Sequence, residues 1–588
     1  SNDATMRATT SASNKRKSDG PVSIKSKKPK TVDETKSSTQ QKRALKHERQ
    51  AHRKHADAVM ESKDIWNKLR LKTNTKEETA QHMERLMSLL QGKFRQVALQ
   101  HDASRVVQAA IQFGTPQQRK EVVMELCEQD DLQELCKVQY AHFCVLKMIK
   151  YCYRDAECVR AIVKALKGSI PKLAVHSVGA RVVELLFSTF STKACAPLKQ
   201  ELYGPHFSLF GDETSHATLA SNLEIAPDKK QVTLEFVLGI LSKALEKGLY
   251  SFVYLQELAA EYVGEASCND VRAMAPTVVD HSIHMLSTRA GTRVVAACAS
   301  YGTAKDRKRI MKSLKGYTKS SLLHRDAYLA ILQLVQVTDD TVSIHKSVLA
   351  EILNAPSQEE SEASSLLEIA LDTNGSKLFL MLLVSSQEER IKYLDPYERQ
   401  VLAENPCVLE NGQETPTSKK NAETRRKELL NYLRKPLMKL CKDHANELVR
   451  SLPGSRVLHQ VYATFSPQEV VNAVVDVCVA ELDVEENSLF EDPIGHLAIK
   501  NLLLCHVDDQ KAMFATAFYE KMHSRLMDVA KSNRGAFVLT ALLKVDAVRE
   551  RALSELTKHK TELKKLSKKG KATAGYNALL QEIAGKGK

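Results

Sequence analysis

Turn formers are scarce in this 588-residue chain: its 22 glycines and 16 prolines come to about half the ~12% share usual in globular proteins. That leaves too few chain reversals for a many-stranded β protein and points to helices. Long apolar runs are missing too. The longest uncharged one, residues 378–384, is far short of the roughly 20 residues that cross a bilayer, so no membrane partner is expected. No stretch near the N-terminus combines a basic region, an apolar core and a small-residue cleavage site, and the expectation is an intracellular protein. The 12 cysteines include no CxxC pair. Cys144, Cys298, Cys478 and Cys505 lie in apolar helical runs, where a reduced thiol acts as a small hydrophobe, so neither a disulfide framework nor zinc is expected. Gly-rich phosphate loops, HExxH, GxSxG and a deaminase-type HxE with a CxxC partner are all lacking, so the chain reads as no enzyme, with no cofactor and no metal. His281 and His284 sit three apart without a third ligand and read as surface residues.

What the chain does have is length, charge and repetition. It is about four times the ~150-residue prior for one domain, which favours either several domains or one array. A formal charge of +15 points to a polyanionic partner. Its placement is uneven. Residues 1–55 carry 15 Lys/Arg against 5 Asp/Glu with little apolar periodicity, which predicts a disordered basic tail. Within it Lys15, Arg16 and Lys17 stand seven residues ahead of Lys25, Lys27, Lys28 and Lys30, the spacing of a two-part nuclear import signal. Residues 551–588, with 10 Lys/Arg against 3 Asp/Glu, read as a second basic tail. Removing both leaves about −2 for residues 56–550, so any basic groove there is made by position and not by composition.

The middle repeats. Residues 103–120, ASRVVQAAIQFGTPQQRK, match residues 291–308, GTRVVAACASYGTAKDRK, at 8 of 18 positions without gaps. Pentads of the same kind begin at Ser104, Ala180, Thr292 and Ser455, each after a small residue and at the head of an apolar run. More degenerate copies start at His142, His216, Ser251, Tyr328, Ser376, His496 and Ala536, making eleven. The steps between markers are 38, 38, 36, 35, 41, 36, 48, 79, 41 and 40 residues. A period near 38 fits a two- or three-helix unit, and the 48- and 79-residue steps mark insertions where a bend or a docking element is expected. The longest step holds a polar loop, about 404–421, then a basic helix with Arg425, Arg426, Lys427, Arg434 and Lys435. The expected organisation is a basic tail (1–55), an N-terminal array (56–345), C-terminal repeats with an insertion (346–550) and a basic C-terminal tail (551–588).

On a helix the first and fifth pentad residues share a face, while the second leans out toward the neighbouring repeat. Stacked repeats therefore form a ladder in which polar pairs can meet base edges and an Arg or aromatic plane can stack between bases. The spacing, the pentads and the small residue before them resemble Pumilio (PUF) repeats. The basic N-terminal tail, Lys63-Asp-Ile-Trp66, Gln91-Gly-Lys93 leading to His101-Asp-Ala-Ser-Arg105, and residues 302–308 resemble the Puf-A, or penguin-like, branch over about residues 60–550. That resemblance implies an all-α, L-shaped solenoid of eleven repeats, located in the nucleus and nucleolus. It also implies binding to RNA or DNA with little sequence preference and a part in ribosome biogenesis through pre-rRNA processing and large-subunit assembly, with translational regulation of mRNA as a further implication. The partners implied are pre-rRNA, mRNA, DNA and proteins of pre-ribosomal particles; the chain is expected to be a monomer.

Carried over by position, Ser104 and Gln108 flanking Arg105 match the adenine-reading pattern. Ala180 with Glu184, and Thr292 with Ala296, keep Arg181 and Arg293 as stackers but each lose an edge reader. Elsewhere the fifth position is mostly apolar, so a long RNA word is not expected to be read. Charge persists: Arg105, Arg181, Arg293, Lys377 and Arg456 hold the second position, with Lys147 and Lys500 nearby and His142-Phe143 completing the candidate surface. The competing reading has these arginines packing their stems between repeats and capping carbonyls. His142, His216 and His496 read as polar surface residues, and Trp66 as the cap of the first apolar face. A HEAT- or armadillo-like protein scaffold is the rival to nucleic-acid binding.

Overall fold

The structure, a computed structural model, describes residues 55–585 apart from 129–131, 211–217, 354–364, 485–487, 506–512 and 569–572. The import-signal candidates Lys15, Arg16, Lys17, Lys25, Lys27, Lys28 and Lys30, the remaining basic residues up to Lys54, and marker His216 lie outside the described residues.

The typical repeat is a short helix, an inner helix with the pentad at or near its head, and an outer helix. In the first these are Phe94–Ala98, Ser104–Phe113 and Pro116–Cys127; in the sixth they are Ser282–Met285, Arg289–Tyr301 and Ala304–Ser313. Nine of the eleven markers fall within the first four residues of a helix, and Ser251 lies two residues ahead of Val253–Glu265. Inner helices stack: Ser104–Phe113 on His142–Cys152, that on Gly179–Thr189, and further along Val253–Glu265 on Arg289–Tyr301 on Tyr328–Val337. A helix held between two neighbours and an outer helix must be apolar over most of its girth, which is why Val106, Val107, Ala110 and Ile111, and again Val294, Val295, Cys298 and Ala299, are fully buried. Each such aliphatic side chain contributes about 1.5–3 kcal/mol over its exposed state. The apolar run 378–384 is core in the same way.

The matched segments repeat their polar chemistry as well. Thr115 and Thr303 each form a capping box, with Gln118 and Asp306, at the start of an outer helix. Gly114 and Gly302 precede them because a Cβ there would lie 2.5 Å from Ala110 O or 2.4 Å from Cys298 O. Arg119 donates to Ile111 O (2.9 Å) and Gln112 O (3.2 Å); its counterpart Arg307 donates to Ala299 O (2.8 Å) and Ser300 O (3.1 Å). The carbonyl-capping role expected for a repeated arginine thus belongs to this outer-helix residue, which satisfies the open end of the inner helix.

A second lock closes single repeats, tying the end of the outer helix to the turn before the short helix. Glu125 accepts from Gly92 N and Phe94 N, Glu201 from Gly168 N and Ile170 N, and Glu351 from Gly316 N and Thr318 N, at 2.6–3.0 Å. Gly92, Gly168 and Gly316 have φ of 72°, 82° and 84°, a left-handed turn that turns both amides toward one carboxylate.

Three expectations need correction. Residues 551–588 are not simply a tail: Asp546–Lys558, Lys560–Leu566 and Ala574–Ile583 are helices, and the last packs on the inner helix Asn533–Leu542 as a closing layer. Leu556, Leu563 and Leu579 are fully buried, and the Lys residues ride on the outer faces of these helices. Residues 404–421 are not an open polar loop. They carry an antiparallel hairpin, Cys407–Glu410 with Gln413–Pro416, fastened to the outer helix of the fifth repeat, Cys268–Val278, by two hydrogen bonds between Asn269 and Leu409 (2.7 and 2.8 Å) and an Arg272–Glu410 ion pair (2.7 Å). In the following helix, Ala422–Asp443, Arg425 and Arg426 are turned inward onto Gln336 O, Asp339 and Leu382 O and offer no basic surface, whereas Lys427, Arg434 and Lys435 remain exposed. The twelve cysteines are free thiols, and burial pushes those of Cys144 and Cys298 up to about 12.

Candidate nucleic-acid interface

The first three repeats, together with the helix that precedes them, form a groove of about 760 Å³. It gathers seven of the twelve candidate residues: Ser104, Arg105, Gln108, His142, Phe143, Lys147 and Arg181. The inner-helix stacking puts them in register, because markers one repeat apart project from adjacent rungs of the ladder. Arg105 and Arg181 are exposed, and their side chains make no hydrogen bond or ion pair with another described residue. Phe143, 44% exposed, stands between these two rungs with the His142 ring tilted against it at 4.1 Å.

Rings and a cation that lie off the pentads complete the wall. Trp66 both packs on the first apolar face, as expected, and lines the groove, with the Arg70 guanidinium 4.9 Å over its ring. His101 and Tyr140 meet edge to face at 5.2 Å, and the Tyr140 hydroxyl donates to Leu99 O. The sequence signal for them is positional: His101 lies three residues ahead of marker Ser104, Tyr140 two ahead of His142, and Arg70 one helical turn after Trp66.

Burial reassigns several edge readers. Ser104 is only 1% exposed; its hydroxyl donates to Tyr140 O (3.0 Å) and accepts from Gln108 Nε2 (3.2 Å). The Ser104–Gln108 pair is therefore held together, and Gln108 presents its remaining amide oxygen. His142 and His496 are buried, not surface residues, with Nδ1 against Val138 O (3.3 Å) and Asp492 O (2.7 Å). Burial holds the His142 imidazole below its ordinary range, with the Arg181 charge acting in the same direction. Lys147 contacts Gln112 Oε1, and desolvation lowers its ammonium.

The remaining candidates do not join this groove. Glu184 is a structural cap: its carboxylate accepts from Val253 N and Tyr254 N (3.2 Å each) at the start of a later inner helix. Arg293 is exposed and lies against Gly264, where a Cβ would come within 3.2 Å of its guanidinium. Lys377 is not an open cation, since it pairs with the fully buried Glu398. Arg456 sits 5.9 Å over the Tyr393 ring. Lys500 is half-buried on the tenth inner helix.

An array with an open cationic and aromatic groove is matched by known proteins. Residues 371–512 match the CPL (NUC119) domain. The chain is 30% identical over 565 residues to Pumilio homolog 3 of Danio rerio, covering 93% of this chain and 85% of that protein. It is 29% identical over 536 residues to Pumilio homolog 3 of Homo sapiens, covering 88% and 78%. Among solved structures it is similar to human Puf-A in complex with DNA, with 26% identity, a TM-score of 0.74, and 90% of this chain and 100% of that one covered.

Proposed function

Since the chain belongs to the Puf-A, or penguin-like, branch of the Pumilio repeat family, we propose that it binds single-stranded RNA, and DNA of the same form, with little sequence preference. The observation that carries this reading is the groove in which Arg105 and Arg181, free of partners among the described residues, flank the exposed Phe143 ring. Cations two repeats apart, with an aromatic rung between them, can meet phosphates on either side of a base, and an aromatic or guanidinium plane stacks on any base. Base-edge reading is short: the Ser104–Gln108 pair is confined to one repeat, and Glu184 is committed to a helix cap. Selection from a randomised RNA pool is expected to return at most a weak motif.

The family membership also supports a role in ribosome biogenesis within the nucleolus, with pre-rRNA as the RNA and proteins of pre-ribosomal particles as neighbours. The paired clusters around Lys15 and Lys27 supply the chemistry of an import signal. The test is crosslinking in cells, with both the RNA and the linked residues mapped. Pre-rRNA joined to the Trp66–Arg181 groove is the expected result. Salt-insensitive binding, or none, for the chain lacking residues 1–54 would return the array to a protein scaffold.

A further inference from the structure

Four of the five second-position cations divide into two groups, and Arg293 of the sixth repeat, which is exposed, stands outside both. Arg105 and Arg181 face solvent without partners among the described residues, while Lys377 and Arg456 both meet one stretch of the insertion, residues 387–404, with Lys377 largely buried against it and Arg456 lying over a ring of it while still exposed. This stretch makes two short helices, Gln387–Ile391 and Pro396–Val401. Glu398, with no exposure, takes the Lys377 ammonium and the hydroxyl of Tyr328, the first pentad residue of the seventh repeat. Tyr393 places its ring under Arg456 of the ninth repeat and accepts from Gln460 on its hydroxyl (3.0 Å). Tyr397 lies 3.5 Å beneath the guanidinium of Arg289 in the sixth. The ends are tied down as well: Gln333 exchanges two hydrogen bonds with the Ala403 backbone (2.7 and 3.0 Å), and Arg390 pairs with Glu404.

The chemistry of these contacts is that of a nucleotide. A carboxylate stands where a phosphate would meet the lysine, and phenol rings stand where bases would meet the arginines. We propose that residues 387–404 are a built-in occupant of the reading face of repeats six to nine, which keeps single-stranded nucleic acid off that half and confines it to the N-terminal groove. The inference rests on the nucleic-acid reading above. It adds that the second half holds a competent but occupied site, opened by removing the side chains that fill it.

The test is photocrosslinking of the full chain to single-stranded oligouridine RNA, with linked residues mapped, alongside affinity measured across a salt series. The wild-type chain is expected to crosslink within the Trp66–Arg181 groove and not at Tyr328 or Tyr393. In Tyr393→Ala/Tyr397→Ala/Glu398→Gln, new crosslinks at Tyr328 are expected, and the slope of log affinity against log salt should steepen by about 1.4 as two cations join. Should the triple variant not fold, Tyr393→Ala/Tyr397→Ala, which removes only half-buried rings and leaves Glu398 on Lys377, is expected to give new crosslinks at Arg456 and Gln460 and to steepen the slope by about 0.7 as one cation joins. Wild-type crosslinks at Tyr328 or Tyr393 overturn the inference and leave the groove reading standing, as does a folded variant with unchanged slope and crosslinks. A wild-type chain that binds no RNA overturns both.

Discussion

The N-terminal groove and the face of repeats six to nine are built from the same pentads, yet they present opposite surfaces. In the groove the second-position arginines are open and their neighbours are aromatic rings with room beside them. In the later repeats Lys377 is paired with the buried Glu398, and Arg456, still exposed, lies over the Tyr393 ring of the same chain. A binding cation is thus defined by what is left unpaired around it, not by its place in the repeat. Free charge facing water recruits phosphate at low energetic cost, whereas a charge already paired with a buried carboxylate must first lose that partner.

The largest effect should come from breaking the open side. Arg105→Glu/Arg181→Glu is expected to weaken single-stranded RNA binding tenfold or more at low salt, and Arg105→Ala/Arg181→Ala to flatten the salt slope by about 1.4, read by fluorescence anisotropy. Arg456→Ala, on the closed side, should leave both nearly unchanged. Next comes the pair of carbonyl-capping arginines. Arg307, 1% exposed, also donates to Val337 O and Thr417, tying the insertion to the array, so Arg307→Ala is expected to cost about 3 kcal/mol in urea unfolding. Arg119→Ala, with only the two carbonyls at stake, should cost about 1 kcal/mol.

Smaller again is the lock that closes a single repeat. Glu201→Ala leaves the amides of Gly168 and Ile170 without an acceptor and is expected to lower stability by about 1–3 kcal/mol, with opening localised to the third repeat in hydrogen exchange. The smallest effect is on pH dependence. Because the fold holds His142 below its ordinary value, the unfolded chain takes up the proton first. Stability is then full above about 6.5 and declines as pH falls toward the lower folded value. His142→Gln should remove that part of the decline, and unfolding midpoints at pH 7.5 and 5.5 would measure it.

Much of the fold was legible because its signals are local. The pentad heads, the Thr115 and Thr303 boxes and the glycines before them are all written within about twenty residues, and the structure places helices there. The Lys-rich C-terminus misled because composition is blind to burial: Leu556, Leu563 and Leu579 are spaced among lysines yet anchor the closing layer. Ser104 read as an edge reader because its real partner, Tyr140 O, belongs to the next repeat, 36 residues away. Glu184 was mistaken for the same reason, its amide partners being 69 and 70 residues distant.

By itself the sequence determined the helical repeat, its period, its eleven markers and the separation of charge between the ends and a neutral middle, since helical periodicity and capping are encoded over a few residues. Which cations remain available was decided only by the tertiary structure. That choice turns on contacts such as Lys377 with Glu398, Arg307 with Thr417 and Asn269 with Leu409, spanning 21, 110 and 140 residues. Such distances are closed only once the whole array has stacked, and the pairing they create is what leaves one face open and the other filled.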